Sequence, residues 1–148
     1  MHGRYRPVWW KLERRAALEA SESYALDPAF RLWLLAVGRA YQGGHATFSD
    51  GEIIDLLPKV KKGVVSQYDP KQIKRLISAL VDGGMLAPQS TPRCLVVPFT
   101  LLSAEWKFSP EPCPTHGHNM SWTADGWFDP ATLADLGRRG PAASEAVR

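Results

Sequence analysis

Twice in this chain an Asp-Pro pair opens an amphipathic run that a Gly-Gly pair closes, and this bracketing constrains the fold more than any other feature. Asp69-Pro70 begins the clearer run. Asp69 is suited to cap a helix, and Pro70 fits a first helical position, where no N–H is needed. On a 3.6-residue period Ile73, Leu76, Ile77, Leu80 and Val81 line one side, and Lys71, Lys74, Arg75 and Ser78 line another. Gly83-Gly84 marks the stop. Asp27-Pro28 opens the second run, whose Phe30, Trp33, Leu34, Val37 and Tyr41 recur at core spacing up to Gly43-Gly44. The pattern predicts two helices, one buried along much of its length and one with a cationic outer face.

The remaining elements are shorter. Val8 to Ala20 alternates apolar and charged residues helically, with Trp9, Leu12 and Leu18 as anchors. Trp9 and Trp10 diverge by about 100° on a helix, so one of them is left to cover the carboxy-terminal segment or a dimer partner. His45 to Phe48 reads as a small edge strand. Ser49-Asp50-Gly51-Glu52 fits a capping box before a short helix of Ile53, Ile54, Leu56 and Leu57, halted ahead of Pro58. Lys59 to Tyr68 reads as a basic connection. Met85-Leu86-Ala87 and Arg93 to Val97 are expected to be strands flanking a turn at Gln89-Ser90-Thr91-Pro92, with Pro98 placing the second at an edge. Beyond Ser103, Trp106, Trp122, Trp127 and Phe128 lie among prolines, glycines and polar residues. Asp129-Pro130 offers a further helix start, running to about Leu136. The division expected is 1–26 for an amino-terminal helix and linker, 27–103 for the central domain, 104–136 for an aromatic extension and 137–148 for a frayed tail.

Charge is unevenly placed. The total is only +3, yet six cations (Lys59, Lys61, Lys62, Lys71, Lys74, Arg75) and one acid, Asp69, lie between Lys59 and Arg75. A concentrated basic patch on a near-neutral body points to an anionic partner docking at one place. The first ten residues lack a signal peptide's apolar stretch, and no uncharged run approaches the ~20 residues that span a bilayer. The expectation is a cytoplasmic protein with no membrane partner, and Cys94 and Cys113 reduced.

Helix, short strand, helix, helix, strand, turn, strand, over about Asp27 to Phe99, resembles the order of winged helix-turn-helix domains, of the type found in phages and mobile elements. The fold class expected is therefore mainly α with a small β-hairpin (α+β), carrying an amino-terminal helix and an irregular carboxy-terminal extension. The resemblance implies that Lys71, Gln72, Lys74, Arg75 and Ser78 occupy a recognition helix in the major groove, and that Gln89 to Arg93 form the wing. Arg75 would pair with guanine and Gln72 with adenine. Pro58 to Tyr68 is longer than the usual helix-turn-helix turn. That loop either reaches DNA itself through Lys59, Lys61 and Lys62 or displaces the third helix. The function so implied is duplex-DNA binding in transcriptional regulation or replication control, with a homodimer or a host protein as further partners. The alternative is a protein-interaction module that docks its partner through aromatic surface.

Cys113-Pro114-Thr115-His116-Gly117-His118 brings one thiol and two imidazoles within six residues. Cys113, His116 and His118 are candidate ligands for a structural zinc, which needs a fourth donor such as Cys94 or His45. The bland alternative is a surface loop, or a cysteine packed on Trp106 or Trp122. No phosphate loop, dinucleotide fingerprint or nucleophile elbow occurs, and no histidine follows His118 to complete a small metal-dependent nuclease. No catalytic residue is predicted.

Overall fold

A computed structural model of the protein describes residues 13–101 and 111–130. The fold is mixed α+β. Among the described residues it comprises α1 (Arg14–Ser21), α2 (Pro28–Arg39), β1 (His45–Thr47), α3 (Glu52–Leu56), β2 (Lys59–Lys61), β3 (Val64–Ser66), α4 (Pro70–Asp82), β4 (Cys94–Val96), β5 (Ser121–Thr123) and β6 (Gly126–Phe128). The strands make three separate antiparallel pairs: β1 with β4, β2 with β3, and β5 with β6. No helix among the described residues is long and apolar enough to cross a membrane.

Both long helices begin where local chemistry dictates. The Asp27 carboxylate accepts the Ala29 and Phe30 N–H groups at the head of α2. At α4 the box is reciprocal: Asp69 Oδ1 accepts Gln72 N–H at 2.8 Å, and Gln72 Oε1 accepts Asp69 N–H at 3.0 Å. α3 starts at Glu52, whose carboxylate reaches back to Ser49 N–H at 2.9 Å and also takes Arg39 Nη2 at 2.8 Å. α2 ends at Arg39, earlier than its glycine pair suggested. Gly43-Gly44 instead belongs to a 3-10 turn (Gln42–Gly44) that turns the chain into β1.

The main core gathers Leu32, Leu35 and Val37 of α2, Ile53 and Leu57 around α3, and Ile73, Ile77 and Leu80 of α4. Trp33 Nε1 donates to Met85 O at 3.0 Å and pins the exit of α4 to α2. Arg31 is buried among these elements. It donates to Ser21 O at 2.8 Å and Pro58 O at 3.1 Å, joining the α1–α2 connection to the base of the β2–β3 hairpin.

Three expectations are corrected. Met85–Ala87 is not a strand: only Ala87 N–H bonds to Val96 O, and the ladder partner of β4 is β1. Pairing across 49 residues has no local signature, whereas a nearby turn does, so the sequence pattern points to the neighbouring segment while β4 pairs with β1. The segment from Lys59 to Ser66, expected as a loop, is a hairpin in which Lys59, Val60 and Lys61 face Ser66, Val65 and Val64. The extension is likewise less irregular than expected, since β5 and β6 form a hairpin there. Trp9, Trp10, Leu12, Trp106 and the helix expected after Pro130 lie outside the described residues, as does the tail.

Candidate metal centre

The β1–β4 pair separates two apolar environments. Its register sets His45 opposite Val96, Ala46 opposite Leu95 and Thr47 opposite Cys94. Side chains alternate along a strand, so Ala46 and Leu95 face the helical core, while His45, Cys94 and Val96 share the other face. On that second face lie Ala87 and Cys113, with Trp122 and Trp127 packed around them. His45 and Cys94 are diagonal neighbours there, and His45 Nδ1 lies 3.5 Å from Cys94 Sγ.

The loop before β5 supplies the other two donors. Cys113 N–H is held by Asn119 Oδ1 at 3.0 Å, and Gly117 N–H returns to Cys113 O at 2.7 Å, closing a tight turn. That turn sets Cys113 Sγ 3.5 Å from His116 Nδ1 and 3.5 Å from Cys94 Sγ. The donor atoms of His45, Cys94, Cys113 and His116 all lie within 4.8 Å of one another. A tetrahedral zinc with its usual bond lengths separates its donors by about 3.3–3.8 Å, and the three 3.5 Å spacings fall in that window.

The imidazoles are oriented as ligands would be. His45 Nε2 lies 2.7 Å from Met120 O, and His116 Nε2 lies 2.8 Å from Gln89 O. A carbonyl accepts only, so each Nε2 carries a proton, and Nδ1 is the ring nitrogen that each histidine turns toward the sulfurs. Anchoring of the outer nitrogen by a backbone carbonyl is the arrangement that fixes tautomer and ring angle in metal-ligating histidines.

The hydrogen bond with Cys94, with help from His45 and His116 and against the cost of burial, pushes the Cys113 thiol pKa down. The Cys113 thiolate beside Cys94, together with burial, pushes Cys94 up. Two thiolates can coexist at this spacing only with a cation between them. These four residues can therefore hold a metal ion, and Cys2His2 is a donor set of borderline-soft character.

The approach of the 111–130 segment depends on Gly43. Its φ of +79° is in the left-handed region, and a Cβ there would collide with Asn119 O. That close approach brings Met120 O to His45.

The sequence's candidate residues divide between two regions. Cys113 and His116 are in the four-donor set, and both alternatives for a further ligand, Cys94 and His45, join them. His118 lies outside it: its Nδ1 accepts Met120 N–H at 3.1 Å, and its ring meets the Trp127 ring edge-on at 4.7 Å. Burial, and then the imidazoles of His45 and His116, hold its pKa below the ordinary histidine value. Trp127 also stacks on His45, with ring centroids 5.8 Å apart.

Lys71, Lys74, Arg75 and Ser78 are exposed on α4, on the side away from buried Ile73, Ile77 and Leu80. Gln72 belongs to the capping box, so the oxygen assigned to adenine already accepts a backbone N–H. Lys61 and Lys62 are exposed at the tip of the β2–β3 hairpin, whereas half-buried Lys59 lies 5.6 Å from the Tyr68 ring centroid. Arg93 is exposed in the turn before β4 and reaches Asp50 at 3.6 Å. Gln67 Nε2 donates to Asp55 Oδ1, tying the hairpin's exit to α3.

Comparison with protein-family models, with curated proteins and with solved structures finds no match to this chain.

Proposed function

We propose that this chain is a non-catalytic, duplex-DNA-binding module of winged helix-turn-helix type, acting in the cytoplasm in transcriptional regulation or replication control. The observation that carries the reading is the exposed row of Lys71, Lys74, Arg75 and Ser78, seated opposite the buried Ile73, Ile77 and Leu80. Such a row neutralises phosphates and releases their counterions. Lys61 and Lys62 extend the same cationic field from the neighbouring hairpin. None of the described residues 111–130 belongs to the core that α4 builds; their packing is on the other face of the β1–β4 sheet. Titration of a labelled duplex by fluorescence anisotropy at low salt tests the reading. Binding that weakens when Lys71, Lys74 and Arg75 become glutamine supports it; no binding, or binding indifferent to those changes, refutes it.

The same proposal places a structural zinc on His45 Nδ1, Cys94 Sγ, Cys113 Sγ and His116 Nδ1. With all four positions taken by protein, the ion has no open site for chemistry, and its role is to fasten the 111–130 segment to the sheet. Trp122 and Trp127 border the cluster and report on it. A strong chelator is expected to change their fluorescence and lower the melting temperature, with both restored by added zinc. A chelated protein indistinguishable from the untreated one would refute the site. The competing idea of an aromatic docking surface has less support, because Trp122 and Trp127 are packed against this cluster.

A further inference from the structure

We propose that the β2–β3 hairpin is a second DNA-reading element, a ribbon that enters the major groove and sets Val64 against the C5-methyl groups of thymine, while Lys61 and Lys62 hold the flanking phosphates. The inference rests on the nucleic-acid reading above and deepens it: it names a base-contacting residue on an element other than α4.

Val64 and Val65 are each 65% exposed, more than any other large apolar side chain among the described residues. All three residues of β3 are exposed, whereas β2 is half-buried at Lys59 and Val60, so the outer strand and the tip of the ribbon face solvent. An uncovered apolar ribbon is an aggregation hazard, and its occurrence calls for a partner.

The turn adds a second observation. Lys62 has φ +52° and Gly63 φ +77°, the two-residue turn that favours asparagine or glycine at its first position. Lys62 is the sole non-glycine residue with positive φ among those described. A lysine accepts left-handed backbone there at a steric cost that asparagine would reduce, and sites that keep such strain are disproportionately functional. What the lysine adds is a cation at the apex.

Charge and register then choose the partner and the face. Lys61 pairs with Val64, and Lys59 with Ser66, so these four share one face, while Val60 and Val65 share the other. A twofold copy docking through this ribbon would bring like charges together. A duplex suits it instead, because the major groove admits a two-stranded ribbon and thymine offers a methyl among hydrogen-bonding edges.

The test uses the full chain and two duplexes of one A·T-rich sequence, the second with every thymine replaced by deoxyuridine. At about 50 mM salt the native protein is expected to bind the thymine duplex roughly three- to tenfold more tightly, as burial of one or two methyl groups implies. Val64→Ser, an exposed change that removes both side-chain methyls, should abolish that preference, and Val65→Ser should keep it. Lys62→Asn should weaken both duplexes several-fold and equally while leaving the fold intact. Equal affinity of the native protein for both duplexes overturns the methyl contact but leaves cationic binding standing. Failure to bind either duplex overturns the nucleic-acid reading itself. Discrimination lost in Val65→Ser and kept in Val64→Ser overturns the choice of face. If Val64→Ser alters sedimentation and not DNA affinity, the ribbon belongs to a second copy and the proposal falls.

Discussion

Removing the α4 cations should change how affinity responds to salt by an amount that the exposure pattern fixes in advance. Five cations, Lys61, Lys62, Lys71, Lys74 and Arg75, are exposed on the hairpin tip and helix. Lys59 is left out because it is half-buried beside Tyr68. With five phosphates neutralised, log K falls with log salt at a slope of about −4.5. A fourfold rise in salt, from about 50 to 200 mM, then costs about 500-fold in affinity. Lys71→Gln, Lys74→Gln and Arg75→Gln together leave two contacts, a slope of about −1.8 and a loss of only about 12-fold over the same range. Glutamine is close to lysine and arginine in helix propensity, and these side chains are solvated, so stability should change by less than about 1 kcal/mol. Anisotropy titrations at four or five salt concentrations measure both slopes. Native and triple-variant slopes that coincide would refute the assignment of phosphate contacts to this face.

Three further changes probe the scaffold. Gly43→Ala forces a Cβ against Asn119 O and should destabilise by about 2 kcal/mol or more while weakening metal retention; thermal melts with and without chelator read both effects. Arg31→Ala leaves Ser21 O and Pro58 O without their donor, and should cost about 2–4 kcal/mol in a urea titration. Glu52→Gln should cost about 1 kcal/mol at neutral pH and progressively less as the solution is acidified. Glu52's folded pKa is lowered, first by Ser49 N–H and then by Arg39. Its contribution is therefore present above the unfolded value and lost as pH falls through the folded one. Melts across that acid range measure it.

What was legible in the sequence was local. Asp27-Pro28 and Asp69-Pro70 start their helices through side-chain bonds two or three residues long, and Ile73, Ile77 and Leu80 reveal a buried face by spacing alone. Gln72 shows the limit of such reading. Its chemistry fits adenine, yet its place three residues after Asp69 makes it a cap. The β2–β3 hairpin was hidden because its strands are three residues each and its turn is Lys-Gly, so neither alternation nor turn chemistry stood out. Cys113 and His116 were visible together because one turn joins them. His45 and Cys94 come from strands 49 residues apart in sequence and meet through cross-strand register, which no local pattern encodes. His118 looked equivalent to His116 by composition, but His116 is fixed by the carbonyl of Gln89 and His118 by the N–H of Met120.

The claim on which the architecture turns is that four side chains from three separate segments close around one ion. Metal analysis of the purified chain, combined with zinc-edge X-ray absorption, addresses it directly. The expected result is one zinc per chain, with two sulfur neighbours at about 2.3 Å and two nitrogen neighbours at about 2.0 Å. A chain that folds and melts identically without metal, or a zinc with three nitrogen neighbours and one sulfur, would contradict it.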